Sequence, residues 1–143
     1  MKNIVRILAL FFAAAAMTAC CHCRAYQKKT RRPLTGTTWQ LIQLDGRSVQ
    51  PQEGRFSLTL SADDGRFTGV GSCNRLMGSF ETAVSRALKF GRVGSTRMGC
   101  PDPELEWQFV RALEATTHYD MDGPMLLLLS DGELRAVFQA VAE

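Results

Sequence analysis

The chain has 143 residues, 45% of them hydrophobic and 22% charged, with a formal net charge of +3. Once an apolar leader and a basic stretch are set aside, about 110 residues remain, enough for one domain with a single core. From Leu34 to Glu143 there are 10 Lys and Arg against 14 Asp and Glu, a formal charge of −4, so a basic leash precedes an acidic domain and nucleic acid is an unsuitable partner.

The first 19 residues have the layout of an export signal. Lys2 and Arg6 are basic, Ile7 to Met17 is apolar, and Thr18-Ala19 is small. The apolar run is too short to remain as a membrane-spanning helix. Met17-Thr18-Ala19-Cys20 resembles the bacterial lipobox, in which cleavage before the cysteine leaves Cys20 carrying the lipid. An ordinary cleaved signal with a cysteine nearby is the alternative. Several acyl chains hold a protein on a membrane where a single one is marginal. Residue 21 is Cys, not the Asp that marks inner-membrane retention in enteric-type sorting. In a host with two membranes, the expected address is therefore the periplasmic face of the outer membrane.

Export also makes disulfides durable. Cys21 and Cys23 stay beside the anchor, where Cys21-His22-Cys23 has the donors of a zinc or Cu(I) clip on a flexible segment. Arg24, Lys28, Lys29, Arg31 and Arg32 follow without an acidic residue, so residues 20–33 read as an acylated basic tether. It is either a solvated spacer or a segment drawn to anionic headgroups.

Thr37 to Leu44 is rich in β-formers and ends at Asp45-Gly46, giving a first strand with Trp39, Leu41 and Gln43 on one side and Gln40, Ile42 and Leu44 on the other, buried on both faces toward its end. Arg47 to Gly54 reads as a loop. Phe56 to Leu60 alternates, Asp63-Asp64-Gly65 supplies turn chemistry, and Arg66 to Gly71 returns as the partner strand of a hairpin. Further short strands are expected at Arg75 to Glu81 and Leu88 to Phe90.

Asp102 and Pro103 open a helix as N-cap and N1, with Glu104 and Glu106 near its positive end. Leu105, Phe109, Ala112, Leu113 and Thr116 form one stripe on a helix of roughly 14 residues ending near Thr117. Tyr119 to Asp122 extends briefly before Gly123-Pro124. Met125 to Leu129 reads as a central strand covered on both faces, and Ser130-Asp131-Gly132 turns it into Glu133 to Gln139, with Leu134, Ala136 and Phe138 on one side. The expected fold is α+β, a strongly curved antiparallel sheet or partly closed barrel of six to eight short strands with one helix packed across it.

Four blocks in this order resemble the META domain family of HslJ-like bacterial lipoproteins. They are Leu34-Thr35-Gly36-Thr37-Thr38-Trp39, Gly71-Ser72-Cys73-Asn74-Arg75-Leu76-Met77-Gly78-Ser79-Phe80, Ser95-Thr96-Arg97-Met98-Gly99-Cys100, and the closing pair Met125 to Leu129 with Leu134 to Phe138. Ser72 is inserted between the glycine and the cysteine of the family block, Phe80 replaces Tyr, and Gly99 replaces Ala. The resemblance spans about residues 34 to 140 and implies a small exported domain linked to stress response or envelope upkeep, with no established reaction.

Cys73 and Cys100 are the two cysteines beyond the leader and tether, each in a glycine-containing turn, and are expected to form one disulfide. They could instead serve as a nucleophile and its neighbour, or as thiolate ligands joined by Met98. A thiol nucleophile needs a base, and His118 is the one histidine available outside the tether. Asn74, Arg75, Thr96 and Arg97 are candidate binding residues, while Asn also suits a left-handed turn position. The carboxylate pairs Asp63-Asp64 and Asp120-Asp122 lie on expected turns, where solvated residues are usual. No catalytic residue, cofactor or bound metal is assigned. The expected partners are the membrane and an unidentified envelope protein or small ligand, with an exported redox or metal-binding thiol protein as the alternative.

Overall fold

The computed structural model describes residues 25–141; the leader, Cys20 and the Cys21-His22-Cys23 stretch lie outside them. Period-two patterning produces most of the architecture. The strands are β1 (Thr38–Leu44), β2 (Arg47–Ser48), β3 (Ser57–Leu60), β4 (Arg66–Val70), β5 (Arg75–Ala83), β6 (Ala87–Phe90), β7 (Gly94–Ser95), β8 (His118–Asp122), β9 (Met125–Ser130) and β10 (Glu133–Ala140). Residues 25–30 are helical (α1), and the main helix, α2, is Pro103–Glu114.

The ten strands of the described residues join one antiparallel sheet: nine follow the order β10-β9-β8-β6-β5-β4-β3-β1-β2, β7 pairs with β5, and β10 also pairs with β1. Setting aside the two-residue strands β2 and β7 leaves eight strands in a closed ring. The ring is thin between β6 and β8, which share the single ladder pair Ala87↔His118. It is therefore an irregular ring and not a uniform barrel. α2 touches β1 and β6, strands on opposite sides of the ring, so it lies across it.

Trp39, Leu41, Leu58, Leu60, Phe67, Leu126 and Phe138 face inward and are fully buried together with Phe109 and Leu113 of α2. An eight-stranded ring has an interior about wide enough to be filled by side chains, and these aromatics fill it. Phe109 is the joint, meeting Phe56 edge-on at 5.9 Å and Phe138 at 6.0 Å.

The strands depart from strict alternation where the sheet bends. Between Leu41 and Gln43 the pairing of β1 with β10 slips by a residue, and Leu44 becomes buried while Gln43 moves to partial exposure. The expected grouping of Gln43 with Trp39 is thus corrected by a β-bulge, which inserts one residue and reverses the facing beyond it. A second slip lies between Leu134 and Ala136, and Leu134, expected inside with Ala136 and Phe138, is 40% exposed. β9 is buried at Leu126 and Leu128 and only partly at Met125, Leu127 and Leu129. One of its faces is fully covered, where both were expected to be. Arg47–Ser48, expected as loop, makes a two-residue pairing with β1, and α2 stops at Glu114 instead of near Thr117.

Candidate functional site

Of the expected site residues, Cys73, Asn74, Thr96 and Cys100 come together at the turn between β4 and β5. Gly71 N–H donates to Asn74 C=O at 2.8 Å, closing a tight turn over Ser72 and Cys73. Cys73 is bridged to Cys100, with an S–S distance of 1.99 Å and α-carbons 5.5 Å apart. The bridge draws the segment between β7 and α2 over the turn.

Asn74 lies beneath that bridge, 3% exposed. Its Nδ2 donates to Glu106 Oε1 at 2.6 Å and to Met98 C=O at 3.2 Å, and it lies 3.1 Å from Cys100 Sγ. Its Oδ1 accepts from Thr96 Oγ1 at 2.9 Å and from Met98 N–H. The amide group thus stitches three separate segments together, with both its polar atoms occupied. Thr96 Oγ1 also accepts from Arg75 N–H at 3.2 Å, so it continues the same network. The side chains of Arg75 and Arg97 are exposed, and Arg97 takes a positive φ of 55°.

Four further participants, Glu106, Arg55, Ser72 and Asp102, are not among the residues expected at this site. Glu106 Oε2 accepts from Ser72 N–H at 2.8 Å and from Asn74 N–H at 3.4 Å, binding the turn to the first turn of α2. Its carboxylate fits because residue 71 lacks a side chain; a Cβ on Gly71 would stand 2.4 Å from Glu106 Oε2. Arg55 donates from Nε to Ser72 C=O at 2.6 Å and from Nη2 to Ser72 Oγ at 2.8 Å and Asp102 Oδ2 at 2.6 Å. Ser72, 1% exposed, accepts from Asp102 N–H at 3.1 Å. Asp102 therefore occupies the expected N-cap position, yet its carboxylate makes no capping bond and faces Arg55 instead. A glycine before the turn and a glutamate in the first turn of the helix are the sequence marks of this arrangement, legible only once the two are known to meet.

His118 opens β8, opposite Ala87 and Leu129, and its ring lies 3.1 Å from Thr117 Oγ1. No three His, Cys, Asp or Glu side chains among the described residues come together as a metal-ligand set. Asp120 pairs with Arg86, while Trp107 projects from α2 at 60% exposure with the Arg111 guanidinium 5.1 Å from its ring centre. Chemically, the assembly at the turn is a cross-link of one covalent bond and a network of hydrogen bonds.

The sequence model of the META domain matches residues 32–142. A protein from Burkholderia xenovorans solved by NMR is 31% identical, with a TM-score of 0.60 over 77% of this chain and 85% of that one. A DUF4847 family protein from Bacteroides vulgatus is 20% identical, with a TM-score of 0.54 over 75% of this chain and 93% of that one, and shares the fold. No curated protein matches the chain.

Proposed function

Starting from the fact that the chain belongs to the META domain family, we propose that it is a non-catalytic envelope protein, held by lipid on Cys20, that binds or supports an envelope component under stress. The observation that carries this reading is the disposition of its reactive groups. Cys73 and Cys100 are tied to each other, and Asn74, Thr96, Ser72 and Glu106 are tied among themselves. Groups so committed hold a shape and are poorly placed to turn over a substrate. The side chains filling the ring likewise give no support to ligand carriage inside it.

In a host with two membranes, the outer membrane is the site of action and the domain faces the periplasm. The test joins mass spectrometry of the mature N-terminus to thiol titration. The expected result is an acylated Cys20, loss of membrane retention in Cys20→Ser, and no titratable thiol at Cys73 or Cys100 until reductant is added. An unmodified N-terminus would remove the anchor from this reading, and free low-pKa thiols or a bound metal would remove its non-catalytic part. Crosslinking in intact cells of the native host should then capture an envelope protein.

A further inference from the structure

α1 has two faces. One is turned to the β8–β9 turn: Gly123 N–H donates to Gln27 Oε1 at 2.6 Å, and Gln27 Nε2 donates to Asp122. Gly123 has a φ of +56°, and a Cβ there would come within 2.9 Å of Thr30 Oγ1. The glycine thus lets the helix seat closely on the sheet. The exposed face carries Lys28, followed by Arg31, and these line a surface cleft with Gln27 of the seated face, Met121 and Arg86, the last delivered by the 3-10 turn Val84–Arg86. Lys29 and Arg32 are exposed on the same short segment.

Charge is strongly segregated here. Lys28, Lys29, Arg31, Arg32 and Arg86 contribute five positive charges, and the adjoining Asp120 and Asp122 two negative ones, leaving +3. Residues 25–143 together sum to zero, +4 from the leading segment and −4 from the domain, so the rest of the surface carries −3. The hydrogen bonds Gly36 N–H to Leu60 C=O and Val141 N–H to Thr38 C=O place the chain leaving this segment at one end of β1 and β3. The turn carrying Cys73 follows β4 at the other end, where Val70 pairs with Ser57.

We propose that the face built from Lys28 and Arg31, bordered by the Arg86–Asp120 ion pair, docks on an anionic phospholipid bilayer, with Lys28 and Arg31 on headgroup phosphates, and stands the domain with the Cys73–Cys100 end away from the membrane. Charge complementarity favours this orientation, since the bilayer attracts the +3 face and repels the −3 remainder. The inference rests on the anchoring reading, because Cys20 lies five residues ahead of α1 and holds it within about 18 Å of its lipid.

The experiment uses the purified mature protein with vesicles of phosphatidylcholine alone or with added phosphatidylglycerol. Flotation reports retention, and acetylation of Lys28 and Lys29 relative to Lys89, which lies outside the cleft, reports docking. Expected are flotation with both vesicles and a several-fold slowing of Lys28 and Lys29 labelling with phosphatidylglycerol, abolished by high salt. Arg31→Gln, which keeps both reporter lysines and leaves the Arg86–Asp120 pair intact, should lower the docked-to-free ratio about fivefold. Flotation with both vesicles but equal labelling overturns the docking and leaves the anchor standing. Flotation only with phosphatidylglycerol, together with the slowing, overturns the anchor and supports the docking.

Discussion

Asn74 has the side chain of a ligand-binding residue and uses it entirely inside the protein. Asn74→Ala would leave Glu106 Oε1 and the Met98 N–H without their partner, at a cost of about 2–3 kcal/mol in urea unfolding. Asn74→Asp is a sharper probe, since it places a second carboxylate where Glu106 Oε1 is now 2.6 Å away. Two adjacent carboxylates raise a folded-state pKa. The variant's deficit against wild type should therefore be small at acid pH and grow as pH rises past the unfolded carboxylate value of about 4; a deficit independent of pH would contradict the placement of Glu106. Gly71 is constrained by the same carboxylate, and Gly71→Ala should cost about 2 kcal/mol. Combined with Glu106→Ala, the two losses should fall well short of additive in a double-mutant cycle.

At the scale of the element, α2 separates its two faces energetically. Phe109 is fully buried between Phe56 and Phe138, so Phe109→Ala should lower stability by about 3–5 kcal/mol in thermal or chemical unfolding. Trp107, two positions earlier, is 60% exposed, and Trp107→Ala should stay within about 0.5 kcal/mol of wild type. Equal losses would mean the helix is rotated. The β3–β4 turn offers a titration test. Its Asp64 carboxyl is held below the ordinary carboxylate range, first by the Ser61 hydroxyl and then by the Arg66 N–H. A depressed folded pKa stabilises above the unfolded value and loses that contribution as pH falls through the folded one. Chemical-shift titration should accordingly show Asp64 ionising below an ordinary aspartate, and Ser61→Ala should raise it.

For the whole molecule, the disulfide ties the β4–β5 turn to the segment that leads into α2. It spans a sequence separation of 27, and chain entropy assigns such a loop about 3.5 kcal/mol. Cys73→Ser/Cys100→Ser should unfold at correspondingly lower denaturant while keeping the same strand content by circular dichroism. A variant as stable as wild type would show that the hydrogen bonds of Asn74 and Glu106 already fix the crossing. Ring closure itself depends on β1 pairing with β10, the first and last long strands, so truncation within β10 should abolish cooperative unfolding.

Alternation at Phe56 to Leu60, turn residues at Asp64-Gly65, and the stripe through Phe109 and Leu113 are local signals, and from them the sequence alone determined the hairpin, the helix and the α+β class. Family membership was likewise readable in the four ordered blocks. Local patterning is silent on the two bulges, because an inserted residue changes facing only relative to a partner strand. It is equally silent on ring closure, on the reach of Glu106 to the β4–β5 turn, and on the seating of α1 against Gly123. Each of these joins residues far apart in the chain, with no periodicity linking them, so only tertiary packing could decide them.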